Sequence, residues 1–139
     1  SHLTSAAICY EIIYPSLARE FVRNGSELLT TITNDAWYGK TAGPHQHLVQ
    51  ARFRSVEEGL PLVRSANTGI SAAVDGYGRV LASLGLGERG VIDTGLPAAV
   101  VGGTFYGKYG DIPGLFAMGL IFGLALLGGR RRIRDDPLF

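Results

Sequence analysis

Between Asp111 and Arg130 the chain carries no charge. The run reads Ile112-Pro-Gly-Leu-Phe-Ala-Met-Gly-Leu-Ile-Phe-Gly-Leu-Ala-Leu-Leu-Gly-Gly129. At about eighteen residues it reaches the lower edge of the length that crosses a bilayer core, and it exceeds the roughly ten to fourteen of an apolar core helix. Arg130-Arg-Arg-Ile-Arg134 follows at once. A basic cluster abutting an apolar span marks the cytoplasmic end of a membrane helix. Tyr106 and Tyr109 fall where an interfacial aromatic belt sits. Gly119 and Gly123 form a G-x-x-x-G that permits close helix approach, although ordinary glycine content of a membrane helix explains the pair as well. This run sets the organisation: a folded domain over 1–105, a juxtamembrane linker over 106–111, a transmembrane helix over 112–129 and a basic cytoplasmic tail over 130–139. The folded domain is then expected on the outer side of the membrane.

The domain itself reads as α/β. Small and apolar residues from Ser5 to Ile8 suggest the end of a buried strand. Pro15 suits the first turn of a helix, which runs to about Arg23 and is stopped by Asn24-Gly25. Leu28 to Thr33 is a strand, and Asn34 to Pro44 a loop. Val49, Phe53, Val56 and Leu60 recur at helical spacing, which predicts an amphipathic helix over His45–Glu58 with that stripe facing the core. Gly59 and Pro61 end it. Leu62–Ala66 and Ile70–Val74 are short strands, Asp75-Gly76-Tyr77-Gly78 is a hairpin turn, and Arg79–Leu84 is the return strand. Val91–Thr94 is predicted as a last strand. Alternating strands and helices followed by a run of strands fit a sandwich with mixed sheets.

Composition excludes some functions. A net charge of +1 on 139 residues gives no electrostatic footprint for nucleic acid. One cysteine forms no intramolecular disulfide. His45 and His47, two residues apart with no Cys or carboxylate cluster beside them, predict a loop or capping role and no metal. Gly85-Leu-Gly87-Glu-Arg-Gly90 matches G-x-G-x-x-G, but a strand pattern follows it instead of a helix, so it is a glycine-rich turn and no cofactor is expected. Asn24-Gly-Ser26 is a glycosylation sequon by pattern that the helix-ending turn already explains.

The residue that carries chemistry is Cys9. It lies between a strand and a helix, where α/β enzymes often place a nucleophile, and a nearby helix N-terminus favours thiolate. A buried, inert thiol is the alternative. The Tyr10 backbone N–H is placed to hold an oxyanion. Glu11, two residues past the thiol, is either a member of a charged site or a solvated surface group. Asn34 and Asp35 close the next strand, and Trp37 follows on a loop, where function is commonly carried. Trp37 either lines such a site, dips into the membrane surface or simply packs.

Cys9-Tyr10-Glu11 followed by Tyr14-Pro15 resembles the nucleophile segment of the nitrilase (carbon–nitrogen hydrolase) superfamily. With Asn34-Asp-Ala-Trp-Tyr-Gly39, Gln46-His-Leu-Val-Gln-Ala-Arg-Phe-Arg-Ser55, Glu58-Gly59 and Arg64-Ser-Ala-Asn-Thr-Gly69, it is similar more narrowly to the apolipoprotein N-acyltransferase family of bacterial membrane enzymes. The resemblance implies the C-terminal part of a nitrilase-like α-β-β-α sandwich over 1–105. It implies Cys9, Tyr10 and Glu11 as catalytic residues, and Asn34 and Trp37 as substrate-binding ones. It also implies a phospholipid acyl donor, a diacylglyceryl lipoprotein acceptor, and an inner-membrane enzyme with its catalytic domain in the periplasm. The family uses a glutamate base and a lysine upstream of the cysteine. No Glu or Lys lies among the eight residues before Cys9, and Lys40 and Lys108 do not match. The chain is therefore expected to be the C-terminal piece of a longer protein, inactive alone. A membrane-tethered amidase-like hydrolase and a non-catalytic membrane-anchored remnant are the competing readings. The charge pattern fixes an expected topology: a reporter fused after Phe139 is active only in the cytoplasm, and periplasmic activity of that fusion reverses the orientation.

Overall fold

The computed structural model describes residues 3–134, with side chains through 128. Five strands form one sheet in the order β1-β2-β3-β4-β5. They are β1 (Thr4–Ile8), β2 (Leu28–Asn34), β3 (Leu62–Asn67), β4 (Ser71–Val74) and β5 (Val80–Leu84). The first three run parallel, joined by helices α1 (Pro15–Arg23) and α2 (Gly43–Glu58), while β3, β4 and β5 are antiparallel. Parallel neighbours need such crossovers, whereas the β4–β5 link needs only a tight turn. The fold is mixed α/β, as the sequence pattern predicts.

Strand alternation sorts the two faces of the sheet. Ala7, Leu29 and Leu62 are buried and pack with Ile12, Ala51 and Val74 into the core. Their neighbours Ile8, Ile32 and Val63 point to the opposite face and are exposed. Residues 3–108 thus build one helical layer on one sheet.

Three expectations change. Helix α2 starts at Gly43, not His45, because Pro44 fits the first turn, where its missing N–H costs nothing. Val91–Thr94 forms no strand; glycines bracket it at 90 and 95, and Val91 stays exposed. The predicted stripe faces outward along α2 as well, although Leu60, just past its end, is buried in the core. Val49, Phe53 and Val56 are exposed, whereas His47, Ala51, Arg54, Ser55 and Glu58 are buried. Periodicity found the helix but chose the wrong face, because here the buried side is polar and stabilised by ion pairs. Arg54 donates to Ile13 O at 2.8 Å and to Glu57 at 2.7 Å, and Arg19 pairs with Glu58 at 3.6 Å. Burial holds the Glu58 carboxyl above the usual range, with the Arg19 and Arg54 guanidinium groups opposing the shift.

The chain divides into two compact units, through Lys108 and from Tyr109. The first ends on a pinned segment: Val100 N donates to Gly59 O at 2.8 Å, and Arg19 donates to Tyr106 O at 3.0 Å while stacking on that ring. The short helix α3 (Phe105–Tyr109) takes up part of the segment expected as a linker. The second unit holds helix α4 (Ile112–Arg134), whose described side chains, among them Phe116, Ile121 and Leu126, are apolar and exposed around its whole circumference. Among the described residues no helix is long and apolar enough to cross a membrane. The side chains of the basic cluster Arg130–Arg134, and residues 135–139, lie outside the described residues.

The β4–β5 hairpin is held by Asp75. Its Oδ1 accepts from Tyr77 N and Arg79 N, both at 2.9 Å, and its Oδ2 from Arg79 Nε at 2.6 Å. Burial pushes the Asp75 carboxyl up, but these donors outweigh it and hold the group below the usual carboxylate range. Stability from a depressed carboxyl is present above its unfolded pKa and lost as pH falls through the folded one. Asp75→Ala is therefore expected to cost about 2 kcal/mol at pH 7. That difference should shrink at acid pH, as read by urea unfolding of both proteins at pH 7 and pH 3.

Candidate active site

The parallel register brings three strand ends to one edge. Ile8 pairs with Ile32 and Asn34 with Asn67, so Cys9, Asn34–Asp35 and Asn67–Gly69 emerge side by side. Open α/β sheets commonly carry their sites at this edge.

Cys9 begins a short 3₁₀ turn, Cys9–Ile13, and has φ of 53°. Left-handed backbone is unfavourable for a non-glycine residue, and such strain clusters at functional sites. Glu11 secures the turn: its Oε2 accepts from Ile8 N at 2.7 Å. Arg54 holds the other end through Ile13 O. The Tyr10 N–H lies in the first turn, where backbone donors lack an acceptor within the helix.

The thiol is partly buried, and Thr33 Oγ1 lies 3.4 Å from its sulfur. Thr33 also reaches Asp35 Oδ1 at 2.9 Å. Asp35 in turn meets Arg64 Nη2 at 2.6 Å and His47 Nδ1 at 3.0 Å, and all three side chains are almost wholly buried. Arg64 Nη2 also approaches His47 Nδ1 at 3.2 Å. An Nδ1–H that donates to Asp35 has no lone pair left for Arg64, so this is a crowded approach and not a second hydrogen bond. Arg64 Nε is taken by Ile70 O at 3.2 Å. Arg64 Nη1 and His47 Nε2 have no partner among the described residues. Gly69 is required here, because a Cβ would collide with Asp35 Oδ2 and Cβ.

Burial lowers the Arg64 guanidinium from its ordinary value, against the opposing charge and hydrogen bond of Asp35 and the field of Cys9 and Tyr38. Burial raises the Tyr38 phenol, with Tyr10, Asp35 and Cys9 adding to the shift and Arg64 opposing it. A cavity of about 310 Å³ opens beside Tyr10, lined by Ile13, Tyr38, Gly43, Gln46, His47 and Gln50.

The residues singled out from the sequence separate into groups. Cys9, Tyr10 and Glu11 share the 3₁₀ turn. Asn34 Oδ1 accepts from Ala36 N at 3.1 Å and from Asn67 Nδ2 at 3.3 Å, which ties the ends of β2 and β3 together. Trp37 is 71% exposed and stacks on Tyr38 with ring centres 4.5 Å apart. His47, expected in a loop or capping role, is inside α2 and belongs to the buried cluster, whereas His45 is exposed. Thr33 and the ion-pair partner Arg64 were missed as site residues. The sequence signals for them were a Thr two residues before Asp35 and an Arg between Val63 and Ser65 in a short strand, at the start of a segment that carries the family resemblance.

Residues 3–106 match the model of the carbon-nitrogen hydrolase family, so the chain belongs to that family. Within it, the chain is similar to two proteins named apolipoprotein N-acyltransferase. It is 48% identical to the one from Rhodopseudomonas palustris over 88% of its own length, and 50% identical to the one from Bradyrhizobium diazoefficiens over 91%. It spans 23% and 22% of those relatives. Among solved structures it resembles a mutant of the amidase from Nesterenkonia sp. AN1, described with acrylamide added at its active-site cysteine. That match has a TM-score of 0.53 and 24% identity, over 62% of this chain and 36% of the amidase. The likeness shows the nitrilase-like fold.

The ion pair is directly testable. Asp35→Ala leaves the Arg64 guanidinium buried without a counter-charge and is expected to destabilise by about 3–5 kcal/mol. Replacing both partners, as in Asp35→Ala with Arg64→Met, should recover part of that loss in a denaturation double-mutant cycle.

Proposed function

We propose that this chain carries the nucleophile of an acyl transferase that acylates the N-terminal cysteine of diacylglyceryl lipoproteins. The observation that supports this most is Cys9 itself, held at positive φ on the edge where the parallel strands end, with its sulfur hydrogen-bonded into a buried charged cluster. The two acyltransferase relatives supply the substrate class.

In the first step the Cys9 thiolate attacks an ester carbonyl of a phospholipid. The C–S bond forms, the C–O bond breaks, and the lysophospholipid alkoxide leaves with a proton from a general acid. In the second step the α-amine of the lipoprotein cysteine attacks the thioester. The C–N bond forms, the C–S bond breaks, the thiolate returns, and a base takes the ammonium proton. The Tyr10 N–H holds the oxyanion in both tetrahedral intermediates. Glu11 acts by fixing the turn that presents the thiol. Asn34 keeps the neighbouring strand ends in register, and exposed Trp37 contacts the acyl chain or lipid surface. Lys40 and Lys108 do not match the family's pattern, and the chain spans 23% and 22% of its relatives, so the general base and the lysine are not assigned to residues of this chain.

In this reading α4 anchors the domain in the inner membrane, with Cys9 on the periplasmic side. A charge-free run over 112–129 and a helix apolar on every side support it. Lipid substrates for both steps make such an anchor useful. In the complete protein, Cys9→Ala is expected to reduce acyl transfer by more than about 10³-fold. Mass spectrometry after incubation with phospholipid should find the acyl adduct on the Cys9 peptide. A Cys9→Ala protein that still transfers the chain refutes the proposal.

A further inference from the structure

We infer that the Thr33 hydroxyl is the donor that stabilises the Cys9 thiolate, switching its one hydrogen between Asp35 and sulfur as the thiol ionises. The inference rests on the reading of Cys9 as the nucleophile.

Thr33 Oγ1 has one hydrogen and two acceptors within reach: Cys9 Sγ at 3.4 Å and Asp35 Oδ1 at 2.9 Å. It cannot serve both at once. While Cys9 is a thiol, the hydroxyl donates to Asp35, and the S–H can donate to Oγ1. Once Cys9 is a thiolate, the hydroxyl turns to the sulfur. Asp35 tolerates the loss because Arg64 Nη2 and His47 Nδ1 still donate to it. Both bonds are charge-assisted, but the carboxylate keeps two other donors, whereas Thr33 is the one donor on the sulfur among the described residues, so the exchange favours the ionised sulfur.

The same switch acts twice in the reaction. Thioester formation removes the charge from sulfur, and the hydroxyl returns to Asp35. When the thiolate is expelled in the second step, the hydroxyl donates to it again. The donor therefore favours the charged leaving group over the neutral thioester, which is the differential that speeds its departure. Thr33 has no freedom to drift: it is buried on β2, one residue before Asn34, whose side chain bridges to Asn67.

Other titratable and charged groups lie on the elements around the sulfur. Glu11 and Tyr10 lie on its own turn, Asp35 and Tyr38 beyond β2, Arg64 on β3 and His47 on α2. Arg64 and Tyr38 both feel the charge of Cys9. Among these described residues, Thr33 is the one with a hydrogen-bonding atom against Sγ.

The test is the pH profile of Cys9 alkylation by iodoacetamide in the complete protein in detergent, followed on the Cys9 peptide by mass spectrometry. Thr33→Val keeps the shape of the side chain and removes the donor. Its alkylation rate is expected to fall about tenfold at neutral pH and to converge on the parent rate at alkaline pH, where both thiols are ionised. Thr33→Ser should keep the parent profile to within about threefold, since a single charge-assisted bond is retained. An unchanged Thr33→Val rate overturns the inference. So does a drop of equal size at every pH, which reports altered access, and so does a Thr33→Ser profile that follows Thr33→Val. Alkylation reads ionisation without acyl transfer. A Cys9→Ala protein that stays active would overturn the functional reading while leaving the alkylation result intact.

Discussion

The pair of Arg64 and Asp35 is the contact on which this edge of the sheet depends. It is 2.6 Å long, and both side chains are fully buried. Desolvating two charges is unfavourable, and the attraction between them offsets this only when the geometry is good and the remaining polar atoms find partners. Asp35 meets that condition through Thr33 and His47, with Gly69 leaving the space. Arg64 meets it in part, through Ile70 O. The consequence is positional. The residue after β2, a residue on β3 and a residue on α2 are locked to one point, and the thiol at the end of β1 hangs from that point through Thr33.

This explains why a strained residue can sit at the end of β1. A positive φ at Cys9 has to be overdetermined by its surroundings. Glu11 fixes the turn from within, Arg54 fixes its far end, and Thr33 engages the sulfur. Each restraint arrives from a different element: the turn itself, α2 and β2. Removing one leaves the other two in place, so the presentation of the thiol does not rest on a single hydrogen bond.

Much of this arrangement was legible in the sequence, but unevenly. The helix from Pro15, the strand at Leu28, the Asp75 hairpin and the return strand follow from turn chemistry and alternation, which are local signals. Cys9 stood out as the lone thiol, and the segment around it carried the family resemblance. The buried cluster was not legible in the same way. Periodicity assigns helix faces by hydrophobicity, so it turned Val49, Phe53 and Val56 inward, whereas the structure exposes them. His47 then looked like a loop or capping residue, when it belongs to the buried face. A charged residue reads as solvated until its partner is known, and the partner of Arg64 is distant in sequence. Val91–Thr94 shows the opposite error: its residues suit a strand, but no neighbour among the described residues supplies a ladder.

The polar face of α2 has a further consequence. Near its start His47 meets Asp35, in its middle Arg54 holds Ile13 O, and at its end Glu58 pairs with Arg19. Arg19 also grips Tyr106 by a hydrogen bond and by stacking, and Gly59 O receives Val100 N. A helix of this length spans about 24 Å. One rigid rod therefore connects the charged cluster below the thiol to the segment that leads out of the domain. Dispersion across an apolar helix face is non-directional, whereas the hydrogen bonds of His47 and Arg54 each specify a distance and an angle. The polar face sets the register of α2 against the residue after β2, the Cys9 turn and α1. With that register fixed, the thiol and the exit of the chain from the domain occupy set positions relative to each other.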